Sequence, residues 1–123
     1  MADKTVLVVE DDLDTRDFIG ELLADAGHDV IPADSGKQAL DYLLTATEAP
    51  PDLVVLDLML PLVSGWQVLE TMRADERLAE VPVIVTTGVS RDRPPGATLV
   101  LKKPFSVLEF LQAVDSLTVS EAR

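Results

Sequence analysis

Four short apolar runs in this chain each end directly on polar groups able to do chemistry. Thr5 to Val9 leads into Glu10, Asp11 and Asp12, Leu53 to Leu56 into Asp57, Val83 to Val85 into Thr86 and Thr87, and Leu99 to Leu101 into Lys102 and Lys103. Singly, each set has an ordinary structural explanation: an acidic trio caps a helix, an aspartate satisfies loop amides, threonines sit in strands, and lysines face water. Together they offer carboxylates, a hydroxyl and an ammonium, and that combination has a common chemistry. Crowded carboxylates repel one another, and a hard divalent cation relieves the repulsion. Mg²⁺ suits such a place because it takes one or two carboxylates, keeps several waters and also binds phosphate oxygens. A carboxylate beside the ion can attack phosphorus and form an aspartyl phosphate. Phosphoryl transfer asks the protein mainly to position groups and to neutralise charge on the equatorial oxygens. An ion on Asp11, the Lys103 ammonium and the Thr87 hydroxyl suffice for that.

These groups can act together only if the elements bearing them converge. The four runs are rich in Val and Leu and do not alternate with polar residues, which is how strands covered on both faces read. Val30 and Ile31 make a weaker fifth candidate. Between the runs lie segments with helical spacing: Phe18, Leu22 and Ala26 on one face, then Ala39 or Leu40 with Leu43 and Leu44, then Leu69 with Met72. Asp12 or Asp14 can cap the first helix, and Gly27 falls just past its end. Ser106 followed by Glu109 forms a capping-box pattern for the last helix, which would turn Val107, Leu111, Val114 and Leu117 inward. Alternation of strand and helix predicts an α/β fold, a parallel sheet with helices on both faces. Such sheets bind ligands outside the carboxyl ends of their strands, where the polar groups lie.

Composition narrows the function classes. The chain has 123 residues, 47% of them apolar, enough for one domain with a sizeable core. With 22 acidic against 10 basic residues its formal charge is -12, so direct binding to nucleic acid or to an anionic membrane is disfavoured. The absence of Cys excludes disulfides and thiolate metal sites, and the lone His28 cannot build a multi-histidine centre. No apolar run at the N-terminus resembles a signal peptide, and none reaches the roughly 20 residues a membrane-spanning helix needs. The expectation is a cytoplasmic protein without membrane insertion. The short tail after Leu117 favours a complete gene product.

The residues resemble the receiver domains of two-component response regulators. The resemblance rests on Val-Leu-Val-Val-Glu-Asp-Asp at 6–12, Asp57-Leu-Met-Leu-Pro61 followed by Gly65, Pro-Val-Ile-Val-Thr-Thr at 82–87, and Lys103-Pro104-Phe105. It covers nearly the whole chain, taken as one receiver domain over 1–123 with its core at about 4–118. It implies a flavodoxin-like, doubly wound fold with five strands in the order 2-1-3-4-5, and a Lys103–Pro104 bond that is often cis in the family. It further implies that Asp57 is the phosphoacceptor, that Asp11 and Asp57 bind Mg²⁺ directly, and that Glu10 binds it through water. The backbone carbonyl of Met59 would be another ligand, with Thr87 and Lys103 on the phosphoryl oxygens. The implied partners are a histidine kinase or histidine phosphotransfer protein and a downstream protein target. Such a protein catalyses only its own phosphorylation and dephosphorylation.

Two departures bear on output. The stretch from Thr87 to Lys103 is shorter than the family usually has and contains Arg91-Asp-Arg-Pro-Pro-Gly96, which disfavours a regular helix. Helix four is therefore expected to be absent or reduced to a turn. Val100 stands where the family has its aromatic switch residue, which leaves either signalling through a different surface or service as a phosphate relay or sink. Apolar Met59 and Val89, at positions that tune water access in the family, suggest slow loss of the phosphoryl group. Trp66 reads as a partly buried packing residue, His28 as a solvated loop residue, and Lys102 as pointing away from Lys103. Two other readings compete. A pseudo-receiver would work by protein contact without phosphorylation. A phosphohydrolase of the haloacid dehalogenase type would want a second Asp where Met59 stands.

Overall fold

The computed structural model describes residues 4–45, 49–88 and 93–118. In chain order the elements are β1 (Thr5–Val9), α1 (Leu13–Asp25), β2 (Asp29–Ala33), α2 (Gly36–Thr45), β3 (Leu53–Asp57), α3 (Gly65–Ala74), β4 (Val83–Thr87), β5 (Leu99–Lys102) and α4 (Val107–Thr118). The strands form one parallel sheet in the order β2-β1-β3-β4-β5. The weak Val30-Ile31 signal is an outer strand, half-exposed over most of its length, which is why its apolar run is short.

Each central strand feeds two cores. Leu7, Val9, Val54, Leu56, Val83 and Val85 pack on the side of α2 and α3. Val6, Val8, Leu53, Val55 and Ile84 pack on the other, with Ile19 and Leu23 of α1 and Phe110 of α4. Burial on both faces explains why the strands read as unbroken apolar runs.

The helix faces need correction in detail. In α1 the buried residues are Ile19 and Leu23; Leu22 packs at the margin, while Phe18 and Ala26 are exposed. In α2 Ala39 and Leu43 are buried but Leu44 is exposed. In α4 Val107 is exposed in the first turn, and Phe110 is wholly buried with its ring stacked on Phe105 at 5.6 Å. Val114 is buried as expected, and Leu111 and Leu117 are partly so. His28 is also buried rather than solvated, because the turn after Gly27 folds its backbone N–H onto Leu23 O.

The chain does have a fourth helix, α4, but it follows β5, where the Ser106 and Glu109 box opens it through two reciprocal hydrogen bonds of 2.9 and 3.0 Å. The stretch 91–96, where helix four was expected to be absent or reduced to a turn, lies outside the described residues at 91 and 92, as does Val89. The described part of this connection includes a turn at Pro95 and Gly96, with Gly96 at φ 94. Arg73, in the last turn of α3, fastens that turn. Its guanidinium donates to the carbonyls of Gly96, Leu78, Ala79 and Val81 over 2.6 to 3.2 Å. The Lys103–Pro104 peptide is cis.

Candidate functional site

Strand register brings the polar groups to one edge. Val9 lies beside Leu56, so Glu10 and Asp57 leave adjacent strands at the same level; Asp57 pairs with Thr86, and Thr87 with Lys102. Carboxylate oxygens of Glu10, Asp11 and Asp57 lie within 4.8 Å of one another. Glu10 and Asp57 are buried, and Asp11 is exposed. The three acids named from sequence are thus neighbours in space.

The Glu10-Asp11-Asp12 trio divides its work. Asp12 is the N-cap of α1, its carboxylate accepting from Thr15 N at 2.9 Å and Thr15 Oγ1 at 2.6 Å. Those bonds, the hydroxyl's first, hold its pKa below the ordinary aspartate value. Glu10 turns inward and every polar atom it has is engaged. Its N–H donates to Ala33 O and its carbonyl accepts from Arg16 Nη1, while Oε2 accepts from Asp12 N and Oε1 from Lys103 Nζ.

Lys103 joins the sheet end to the acids. Its Nζ is 3.0 Å from Glu10 Oε1 and 3.4 Å from Asp57 Oδ2. Burial pushes the Glu10 carboxyl above its usual value, and the charge of Asp57 adds to the rise, although Lys103 and the Asp12 N–H oppose it. Burial works against the Lys103 ammonium, but the hydrogen bond to Glu10 and the charges of Asp57 and Glu10 outweigh it, so its pKa is raised. Thr87 is buried at the end of β4, and its carbonyl accepts from Lys103 N at 2.7 Å. Lys102 turns to a different partner, donating to Gly88 O.

The β3–α3 turn holds Asp57 in place. Met59 N donates to Asp57 Oδ1 at 3.1 Å, and the Met59 side chain is exposed. Ser64 and Gln67 close a capping box at the start of α3. Gly65 lets that helix approach the turn: its N–H donates to Leu58 O, and a Cβ there would stand 2.6 Å from both Asp57 O and Leu58 Cα. Trp66 follows, 46% exposed. Arg16 and Gly65 are site-building residues to which sequence alone gave no individual role. A single Arg on an acidic helix reads as solvated, and only the Gly65 position within a motif drew notice.

The donor set fits a hard cation. Three carboxylates against one ammonium leave a formal charge of about -2, and every side-chain ligand is an oxygen, as Mg²⁺ prefers over thiolate or imidazole metals. His28 contributes nothing here; it does not belong to the acidic group, and its Nδ1 is buried without a partner. Among the described residues no helix is long and apolar enough to cross a membrane.

Known proteins resemble this chain in sequence and in fold. The sequence profile of the response regulator receiver domain matches residues 6–115. The polar-differentiation response regulator DivK of Brucella ovis is 34% identical over 119 residues, covering 92% of this chain and 94% of that protein. Among solved structures, the receiver domain of the Francisella response regulator 1452 has 29% identity and a TM-score of 0.81, covering 94% of this chain and 97% of that one. The receiver domain of the sensor histidine kinase PA1611 from Pseudomonas aeruginosa PAO1 has 26% identity and a TM-score of 0.84, covering 97% and 100%. That structure has a magnesium ion coordinated in its active site cleft.

Proposed function

Because the chain belongs to the response regulator receiver domain family, we propose that it works in phosphorelay signalling by accepting a phosphoryl group on Asp57. The donor is a phosphohistidine on a histidine kinase or histidine phosphotransfer protein. Asp11 and Asp57 would hold Mg²⁺ directly, Glu10 through a water molecule, and Met59 through its backbone carbonyl. When bound, the ion supplies positive charge against the phosphoryl oxygens.

An Asp57 carboxylate oxygen attacks phosphorus; the new O–P bond forms as the P–N bond of the donor breaks, and the bond's electron pair leaves with the imidazole. The Lys103 ammonium, kept charged by its carboxylate neighbours, and the Thr87 hydroxyl take up charge on the transferring oxygens. The single observation that supports this reading most is the reach of Lys103 Nζ to both Glu10 and Asp57, at 3.0 and 3.4 Å. The product is a phosphorylated single domain, in the cytoplasm, that acts by contact with a downstream protein or passes its phosphoryl group on as a relay or sink. The protein turns over no separate substrate.

Intact-mass spectrometry after incubation with acetyl phosphate and Mg²⁺ tests the reading. A gain of roughly 80 Da is expected for the wild type, absent in Asp57→Asn and absent with EDTA. No gain under any condition, including with a cognate kinase, would overturn it in favour of a contact module without phosphorylation.

A further inference from the structure

Arg16 lies in the first turns of α1, next to a helix start rich in acids, yet among the described residues it forms no ion pair. Its Nη1 instead donates to the backbone carbonyl of Glu10 at 2.8 Å. We infer that Arg16 is a positioning residue for the metal-binding carboxylates: by holding the Glu10 carbonyl it fixes the peptide plane from which Asp11 projects.

A peptide unit is planar, so fixing its oxygen fixes the Asp11 N–H and the line from Cα of residue 10 to Cα of residue 11. The other end of that segment is already tied, because Glu10 N donates to Ala33 O and Asp12 caps α1. Asp11 is the one member of the acidic group that is exposed. Among the described residues no hydrogen bond holds its carboxylate, so its aim depends on its backbone. The inference rests on the reading that this group binds Mg²⁺.

Two effects of removing Arg16 have opposite signs. Loss of a positive charge near three carboxylates would tighten cation binding, but the side chain is only part-buried and such a charge is screened by salt. Loss of an outer contact that orients a ligand weakens metal binding, typically by 10- to 100-fold. Positioning wins this comparison, and the sign of the change reports which effect operates.

The experiment is calorimetric titration of MgCl₂ alone into the wild type, Arg16→Ala and Arg16→Lys, with the melting temperature of each measured alongside. Arg16→Ala should bind about tenfold more weakly, and Arg16→Lys, which keeps a donor of similar reach, should recover most of the loss. A purely structural role would lower the melting temperature and leave the affinity of the folded protein unchanged. Unchanged or tighter Mg²⁺ binding in both variants overturns the inference while leaving the phosphoacceptor reading intact. Failure of the wild type to bind Mg²⁺ overturns that reading and the inference with it. Should Arg16→Ala not fold, Arg16→Met, which keeps the length of the side chain without a donor, takes its place under the same criteria.

Discussion

Replacing Gly65 by Ala tests whether the turn bearing Asp57 is set by how closely α3 approaches it. The added Cβ would meet Asp57 O and Leu58 Cα, each at 2.6 Å, and both are backbone atoms with no flexible end to swing aside. Ordinary contact lies near 3.5 Å, so a gap of about 1 Å must open between helix and turn. Overpacking of this kind costs about 1–3 kcal/mol. The better helix propensity of Ala offsets less than about 1 kcal/mol of it. A net loss of 1–2 kcal/mol lowers the melting temperature by roughly 4–8 °C in a domain of this size. The effect on chemistry should be larger, because a reacting group misplaced by about 1 Å can lose about 100-fold in rate. The assay is phosphorylation by acetyl phosphate and Mg²⁺ at 25 °C, followed by intact mass, beside a urea melt. The expected result is a well-folded protein phosphorylated 10- to 100-fold more slowly. An unchanged rate, or a rate that falls only as far as the folded fraction does, would refute the link between Gly65 and Asp57 placement.

Other substitutions probe the scaffold and the charges. Phe110→Ala removes a wholly buried ring stacked on Phe105 and should cost about 3–4 kcal/mol in a urea melt. Arg73→Met takes the guanidinium from the carbonyls of Gly96, Ala79 and Val81, and from Leu78 O, which keeps the Val81 N–H, for a loss of about 2 kcal/mol at the same midpoint assay. In metal-free buffer the ion pairs of Lys103 should stabilise the fold fully at any pH below the ordinary lysine value of 10.5 at which Glu10 and Asp57 are both ionised. That contribution should vanish as the pH rises through the higher value of the folded state, because the native protein binds this proton more tightly than the unfolded chain does. On the alkaline side, urea midpoints of the wild type and Lys103→Met should therefore converge only above about pH 10.5; convergence already near pH 8 would contradict the sign.

The sheet was legible in the sequence because burial on both faces leaves a plain trace, the unbroken runs at Thr5–Val9 and Leu53–Leu56. Its carboxyl edge was legible for the same reason, since the polar groups begin where the runs stop. The helix faces were less so. Phe18 with Leu22, and Ile19 with Leu23, are neighbouring lines on one broad apolar stripe, and spacing alone does not tell which line docks. The α4 face was misjudged at Val107 because a first-turn position can overhang the sheet, while Phe110 finds Phe105, a partner from the preceding loop. Arg16 and Arg73 left no trace, because their acceptors are main-chain carbonyls, which every residue possesses. Asp11 and Asp12 were already given separate roles, but the choice of Asp12 over Asp14 as the cap needed the hydrogen bonds to Thr15.

The contact between Lys103 and Glu10 joins positions 93 apart in the chain. During synthesis the acids emerge well before the lysine, and β1 must pair with both β2 and β3 before the edge they share exists. Contacts of such long range form only after the entropy of closing the intervening chain has been met. A half-folded chain therefore has its carboxylates but no ammonium to set against them. On the proposed phosphoacceptor reading, competence to receive phosphate arrives only once β5 has joined the sheet, so the modification would double as a report that this domain has folded.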